Sequence, residues 1–414
     1  MRVLLSTFGS RGDVEPVAAL AAALRDLGVE AVLCIPPDPE LAALATRAGA
    51  RLAPACAPIR QWVADALANR PPMTLPERAA GVLTAQFEAI SAAAEGCDAV
   101  LATGLFPSTA AARCVAEQRG LPYLYGAYCP YFLPSHHHRP PPYPGHPVPP
   151  EETDNRLLWD RDVATMNAVF GEAINALRRS IGLAPADNVR DLVFTDRPLL
   201  AADPTLAPWE PTDLREVVQT GAWILPDDRP LAPELEAFLE AGEPPVYLGF
   251  GSMPMPALKD AARAAIDAVR ARGRRVLLSH GWAGLALDDD REDAFALGEV
   301  NQQALFSRVA AVVHHGGAGT TAAAARAGAP QVVVPQIADQ PYWARRVADM
   351  GLGAAHEGPT PTLDSLSVAL GTALSPEVRA RAAAVAGRIR SDGAIVAARQ
   401  VLAALRREAT SGPG

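Results

Sequence analysis

The chain has 414 residues, 49% of them hydrophobic and 20% charged, with a formal net charge of -9. That length suits two domains of about 200 residues each, and the composition is that of an ordinary soluble globular protein. The acidic balance argues against broad attraction to nucleic acid or to an anionic membrane surface. The five cysteines, Cys34, Cys56, Cys97, Cys114 and Cys129, include no C-x-x-C pair. A scattered odd set reads as reduced thiols of a cytoplasmic protein, not as a disulfide framework or a zinc site. Met1–Leu5 is too short an apolar run for a signal peptide, and no run approaches the roughly 18 residues of a membrane span.

In chain order, Val3–Ser6 reads as a short buried strand and Pro16–Leu27 as a helix with Val17, Leu20, Leu24 and Leu27 on one face. Between them lies the glycine-rich turn Gly9-Ser10-Arg11-Gly12-Asp13. Asp13 is a candidate general base at the carboxyl edge of a sheet, kept ionised by the helix N-terminus; it reads equally as a cap of the first helix. Ser10 and Arg11 can reach a phosphate, or Arg11 can pair with a surface acid. Strands follow at Ala31–Ile35, Ala99–Ala102 and Tyr123–Tyr125, with a helix over Ser108–Gln118. The alternation predicts a doubly wound parallel sheet. Residues 130–150 break it with Pro134, the run His136-His137-His138 and seven prolines from Pro140 to Pro150, which read as a mobile surface loop of the kind that often carries function. Helical patterning resumes over Trp159–Ile181.

Residues 206–226, rich in proline and polar residues, mark the domain boundary. The second half repeats the alternation, with strands at Val246–Phe250 and Arg275–Ser279. Ser252 follows the first of these and either donates to a phosphate or belongs to a turn. Then comes the most informative stretch, His314-His315-Gly316-Gly317-Ala318-Gly319-Thr320-Thr321. The strand-like Ala310–Val313 precedes it, the helical Thr321–Arg326 follows, and Val332–Val334 forms a further strand. This is a parallel βαβ unit whose glycines let backbone amides approach an anion at a helix start. His315 with the amides near Gly317, Gly319 and Thr320 suits a diphosphate, whereas His314 faces the other way along the strand and serves as packing. Asp339 and Gln340 fall beyond the next strand and suit sugar hydroxyls, or a turn before Pro341. Tyr342 and Trp343 flank a sugar or pack in a helix. The backbone near Val300 is a candidate reader of a pyrimidine edge, with Trp282 over the base. Together these describe a nucleotide-sugar site. Two metal signals are set aside: Asp288-Asp289-Asp290 lies in a polar run that reads as a solvated loop, and consecutive histidines in a proline-rich loop are poorly preorganised. No metal is expected.

The residues at this point resemble a known family, the nucleotide-sugar glycosyltransferases of antibiotic natural products, and most of all those acting on vancomycin-type glycopeptide aglycones. Carrying the resemblance are Ser10–Asp13, Glu95–Asp98, Tyr128–Pro130, the proline loop, Gln219–Pro226, Tyr247–Ser252, Gly298–Asn301, the His-Gly block and Ala338–Pro341. The resemblance implies the GT-B architecture, two Rossmann-like α/β domains facing a cleft. Residues 1–205 would bind the acceptor, 206–226 link, 227–393 bind the nucleotide sugar, and the 394–414 helix and tail pack back toward the first domain. It implies an inverting, metal-independent transfer with Asp13 as base, Ser10, Arg11, Ser252, His315, Gly317, Gly319 and Thr320 at the diphosphate, and Asp339 and Gln340 on the sugar. The acceptor would meet Tyr128, His136, His137, His138 and Tyr143. The donor would be a UDP- or dTDP-sugar, an ordinary hexose given the Asp-Gln pair, with no other cofactor. The protein is expected to be a cytoplasmic monomer without nucleic-acid or membrane partners. The alternatives are transfer to a macrolide or aromatic polyketide, a nucleotide-sugar epimerase, and a non-catalytic partner protein. A dinucleotide-dependent oxidoreductase is weaker, because the first turn lacks G-x-G-x-x-G.

Overall fold

A computed structural model describes residues 1–68, 73–251, 258–281, 285, 287 and 291–410. The chain divides into two compact units: residues 1–202, 208–225 and 391–414 form the first, and residues 203–207 and 226–390 the second.

The first unit holds seven strands: β1 (Arg2–Phe8), β2 (Glu30–Ile35), β3 (Arg51–Pro54), β4 (Ala99–Gly104), β5 (Tyr123–Ala127), β6 (Leu199–Leu200) and β7 (Val218–Gln219). Their order is β3-β2-β1-β4-β5-β6-β7, and every pairing is parallel. Parallel strands carry helices on both faces, so they bury both sets of side chains. β1 does so, with Val3–Phe8 fully buried. β7 lies within the proline-rich stretch 206–226, where short pairing to β6 overrides the poor strand composition.

The first helix, Arg11–Asp26, starts five residues ahead of the expected Pro16, which sits inside it. The apolar face marks only the part from Val17 on, and Ser10 and Asp13 start the helix about one turn earlier. The expected Trp159–Ile181 helix is Asn155–Met166 and Glu172–Ser180, joined by a π turn at Asn167–Gly171. Its start is capped by Asp154, which accepts from the amides of Arg156 and Leu157.

The second unit holds β8 (Val246–Gly249), β9 (Val276–Ser279), β10 (Ala294–Leu297), β11 (Ala311–His314), β12 (Gln331–Val333) and β13 (Gly353–Ala355), again all parallel, in the order β10-β9-β8-β11-β12-β13. One face packs Val246, Leu248, Val276, Leu278 and Val313 against the helix Leu258–Arg270 and Leu366 and Leu370 of the helix Leu363–Ala373. The other packs Tyr247, Leu277 and Val312 against Phe306 and Ala324. Both units are Rossmann-like, with the strand order 3-2-1-4-5-6 recurring in each. All five cysteines are free. No helix among the described residues is long and apolar enough to cross a membrane.

The last helix, Gly393–Thr410, packs on Arg11–Asp26 and buries Ala397, Ala398 and Val401. It starts where two backbones nearly touch. A Cβ on Gly393 would lie 2.3 Å from the carbonyl oxygen of Ala222 and 2.4 Å from the carbonyl carbon of Gly221. Gly393→Ala should therefore destabilise the chain by about 1–3 kcal/mol, the usual cost of overpacking. Gly387→Ala, where a Cβ meets nothing within 4 Å, should stay within about 0.5 kcal/mol of the parent. Urea unfolding of the two variants measures both, and equal stability would refute the close crossing.

Candidate functional site

In each unit the first and fourth strands are neighbours, so the winding of the chain across the sheet reverses there, the place where such sheets hold ligands beyond the carboxyl ends of their strands. Asp13 follows β1 at one of these points and His315 follows β11 at the other.

In the first unit, β1 ends at Phe8 and the chain turns through Gly9 and Ser10 into the helix Arg11–Asp26. Ser10 is the N-cap residue. Asp13 stands three residues into the helix, and its Oδ2 accepts from the Ser10 amide at 2.9 Å. The carboxylate is thus part of the capping arrangement and also aimed at the switch point. Two glycines lie against it: a Cβ on Gly9 would lie 2.1 Å from Oδ2, and one on Gly104, at the end of β4, would lie 3.5 Å from Oδ1. Gly104 also has a φ of +88°, where a side chain is strained. Arg11 is engaged with Glu15 at 2.8 Å, and Arg47 approaches the same carboxylate at 3.5 Å. The surface-acid reading of Arg11 therefore describes its geometry in this structure.

Tyr128, just past β5, donates its hydroxyl to the backbone carbonyl of Asp13 at 2.9 Å and lies 2.7 Å from the Thr103 hydroxyl. Its polar tip is committed inside the protein, leaving its ring as the surface a ligand can meet. Thr103 was not legible from sequence, since it reads only as the residue after a buried strand. The proline loop is tied to the rest of the unit at several points. His136 Nδ1 lies 2.9 Å from the Thr212 hydroxyl, and His137 Nε2 is 3.0 Å from the Pro211 carbonyl. His138 Nε2 lies 3.0 Å from the Leu133 carbonyl, and its own carbonyl accepts from Trp159 Nε1 at 2.9 Å. Burial lowers the His138 pKa. Tyr143 bridges to His146 across a turn and meets the Phe170 ring edge-on at 5.9 Å. Burial pushes its phenol well up. Among the described residues, no three His, Cys, Asp or Glu side chains are grouped to hold a metal.

In the second unit, His314 ends β11 and His315 follows it, and the two rings take opposite roles, as the alternation of an extended chain requires. His314 is fully buried. Its Nδ1 accepts from the Gly316 amide at 3.1 Å, which leaves the proton on Nε2 to be donated to Gln331 Oε1 at 2.9 Å. Burial holds its pKa down to about 3. The His315 ring lies between two glycines. A Cβ on Gly251 would come within 2.6 Å of its Cε1, and one on Gly317 within 2.7 Å of its Nε2. Burial brings its pKa down to about 4, against a small opposing pull from the Gly249 carbonyl. Its Nδ1 is buried, and no hydrogen bond of ordinary geometry reaches it.

Directly after the ring comes the helix Ala318–Ala327, with Gly317 as N-cap residue. The amides of Ala318, Gly319 and Thr320 precede the first intrahelical bond, from the Thr321 amide to the Gly317 carbonyl at 3.0 Å. An orphaned imidazole nitrogen beside three free-ended amides and a helix dipole is an arrangement that receives an anion.

Asp339 and Gln340 open the helix Gln340–Asp349, following Ala338 at a φ of +57°. Asp339 Oδ2 accepts from the buried Trp343 indole at 2.8 Å, and burial raises its pKa. Gln340 Oε1 accepts from the amides of Gln336 and Ile337, at 2.8 and 3.1 Å. Each thus spends one oxygen on its own turn. Trp343 packs, as one of its two readings had it, while Tyr342 stays partly exposed. Val300 rests against the core beside Phe306. The neighbouring Asn301 donates to the carbonyls of Asp227 and Arg229 at 2.8 and 2.7 Å, a role that sequence reasoning missed. Ser252, Trp282 and Asp288–Asp290 lie outside the described residues.

Both histidines have folded-state pKa values below the ordinary 6.5. Their contribution to stability is complete above pH 6.5 and is lost as pH falls from there toward about 4, because the unfolded chain takes up protons that the folded chain refuses. Urea unfolding should weaken across that window, by up to about 1.4 kcal/mol per pH unit for each histidine. His314→Gln should flatten the dependence, and an unchanged slope in that variant would count against the buried neutral ring.

Residues 294–399 match the family described as erythromycin biosynthesis protein CIII-like, C-terminal domain. Over its whole length the chain is 54% identical to glycosyltransferase GtfE of Amycolatopsis orientalis, covering 100% of both. It is also 54% identical to the vancomycin aglycone glucosyltransferase of the same organism, over 99% of this chain and 98% of that one. The solved structure of glycosyltransferase VinC in complex with dTDP superimposes with a TM-score of 0.66 at 21% identity, covering 99% of this chain and 100% of that one, a likeness of GT-B fold.

Proposed function

We propose the reaction from one premise: this chain is a glycosyltransferase of the vancomycin-type glycopeptide family. It moves a hexose from a UDP- or dTDP-sugar to a hydroxyl of a glycopeptide aglycone, with inversion at the anomeric carbon. The observation that carries the donor half is the buried, unpartnered Nδ1 of His315 beside the start of the helix Ala318–Ala327. A buried polar atom without a partner costs about 1–3 kcal/mol, and a donor diphosphate relieves that cost. A neutral imidazole can give its N–H to a phosphate oxygen without first losing a repulsive charge. The remaining sites follow the same reading: Gly317, Gly319 and Thr320 at the diphosphate, with Ser10, Arg11 and Ser252 as further contacts. Asp339 and Gln340 meet sugar hydroxyls, Val300 and Trp282 the base, and Tyr128, His136, His137, His138 and Tyr143 the acceptor. For Arg11 the role requires release from Glu15.

In the transfer, the acceptor oxygen attacks the anomeric carbon from the face opposite the diphosphate. Its proton passes to the Asp13 carboxylate as the new carbon–oxygen bond forms. The old bond from the anomeric carbon to the phosphate oxygen breaks, and its electron pair stays on the leaving nucleoside diphosphate. Charge therefore grows on the diphosphate, where His315 and the helix dipole are already oriented to meet it. A phenolic acceptor, with a pKa of about 10, asks less of a carboxylate base than an alcohol does. The protein acts in the cytoplasm as a monomer, with no cofactor beyond the donor.

Asp13→Asn should lower kcat by about 10²–10⁴, the range for losing a general base, and leave donor affinity close to the parent value. His315→Ala should weaken donor binding and slow the transfer together. Mass-spectrometric assay of a heptapeptide aglycone with UDP- and dTDP-sugars, EDTA present, measures both. Wild-type turnover by Asp13→Asn would sink the base assignment. Donor hydrolysis without aglycone product would keep the donor site and redirect the search to polyketide acceptors.

A further inference from the structure

We propose that Tyr128 and Thr103 are positioning residues for Asp13, a hydrogen-bonded pair that fixes the first turn of the helix Arg11–Asp26 and so aims the carboxylate. This rests on the reading of Asp13 as the base.

Proton bookkeeping gives the pair a direction. The Tyr128 hydroxyl has one proton, and the Asp13 carbonyl 2.9 Å away can only accept. The phenol therefore donates to Asp13, and Thr103 Oγ1, 2.7 Å from the same oxygen, donates to the phenol. Hydrogen bonds linked in this way strengthen one another. Thr103 is fully buried on β4, paired in register with Thr7 of β1, so the relay is anchored on the two central strands of the sheet. The contact spans 115 residues of sequence and ties the end of β5 to the start of the first helix.

The Tyr128 ring is itself held. Trp223 meets it edge-on, with centroids 6.1 Å apart and planes at 86°. The Trp223 indole donates to the Thr220 hydroxyl at 2.9 Å. Gly126 makes the room: a Cβ there would lie 3.0 Å from both Trp223 Cη2 and Thr103 Cγ2. The Gln219–Pro226 stretch thus reaches Asp13 through one tryptophan and one tyrosine.

Gly9 and Gly104 flank the Asp13 carboxylate. The cap bond from the Ser10 amide moves with the turn, because Ser10 and Asp13 belong to the same turn. The Tyr128 hydroxyl is a fixed point outside it. Burial keeps that phenol protonated, with its pKa well above 10, and the Asp13 charge acts in the same direction.

The test uses the full chain with UDP-glucose and a vancomycin-type heptapeptide aglycone. It compares the parent with Tyr128→Phe, Thr103→Val, Thr103→Ser, the Tyr128→Phe/Thr103→Val double variant and Asp13→Asn. Tyr128→Phe should lower kcat by about 10- to 100-fold, the scale of a small misplacement of a reacting group, with the donor KM unchanged. Thr103→Val should fall in the same direction, Thr103→Ser should recover most of the rate, and the double variant should be no slower than Tyr128→Phe. Parent-like kcat in both single variants, or losses that simply multiply, would overturn the proposal. Wild-type turnover by Asp13→Asn would instead remove the base reading on which it stands.

Discussion

In each unit two neighbouring parallel strands send the chain in opposite directions, and that pairing decides where a ligand can be held. β1 and β4 do this in the first unit, β8 and β11 in the second. Asp13 comes off β1, and Gly104 off β4 gives its carboxylate room. His315 comes off β11, and Gly251 just past β8 gives its ring room. Both sites are thus built by the same device: one strand of the switch pair supplies the functional group, and the other supplies a glycine that leaves space for it. Hydrogen bonding between the strands fixes the spacing, so the two contributions are held at a constant separation by the sheet.

The polar groups near both sites are steered mostly by backbone atoms. The Asp13 carboxylate is met by an amide, and its carbonyl by a tyrosine. Gln340 gives its oxygen to two amides, and His314 takes an amide on one nitrogen. Such bonds are short-range and directional, and they lock rotamers without adding net charge. His315 is the contrast: a buried ring nitrogen that the protein leaves without a hydrogen bond of its own.

Much of the parallel-sheet framework was readable from apolar runs, since a strand buried on both faces is apolar throughout. β1, β2, β4, β8 and β11 all announce themselves this way. β6 and β7 do not, because two-residue strands have too little pattern to register, and β13 is Gly-Ala-Ala, whose strand geometry comes from pairing with β12. The His-Gly block was legible because a phosphate-type loop needs glycines at fixed places. The contacts of Thr103, Trp223 and Asn301 were not legible because they depend on partners far away in sequence, although Trp223 and Asn301 lie in stretches that carry the family resemblance. The first helix was placed too late, since its apolar face marks only the part from Val17 on and Ser10 and Asp13 start it about one turn earlier. The triple histidine looked like a free surface feature, yet two of its rings reach the segment 211–212, a contact that only the tertiary structure discloses.

The last helix, Gly393–Thr410, belongs with the chain's first residues, and the second unit is threaded between. A ribosome makes the protein from one end. The residues that cover Arg11–Asp26 are therefore synthesised after the whole of the second sheet. Until then the first unit carries an uncovered apolar helix face, while every strand of both sheets has already emerged. Translation thus delivers the inserted unit complete before the unit that encloses it in sequence, and the 18 residues of this helix then close the first unit's surface.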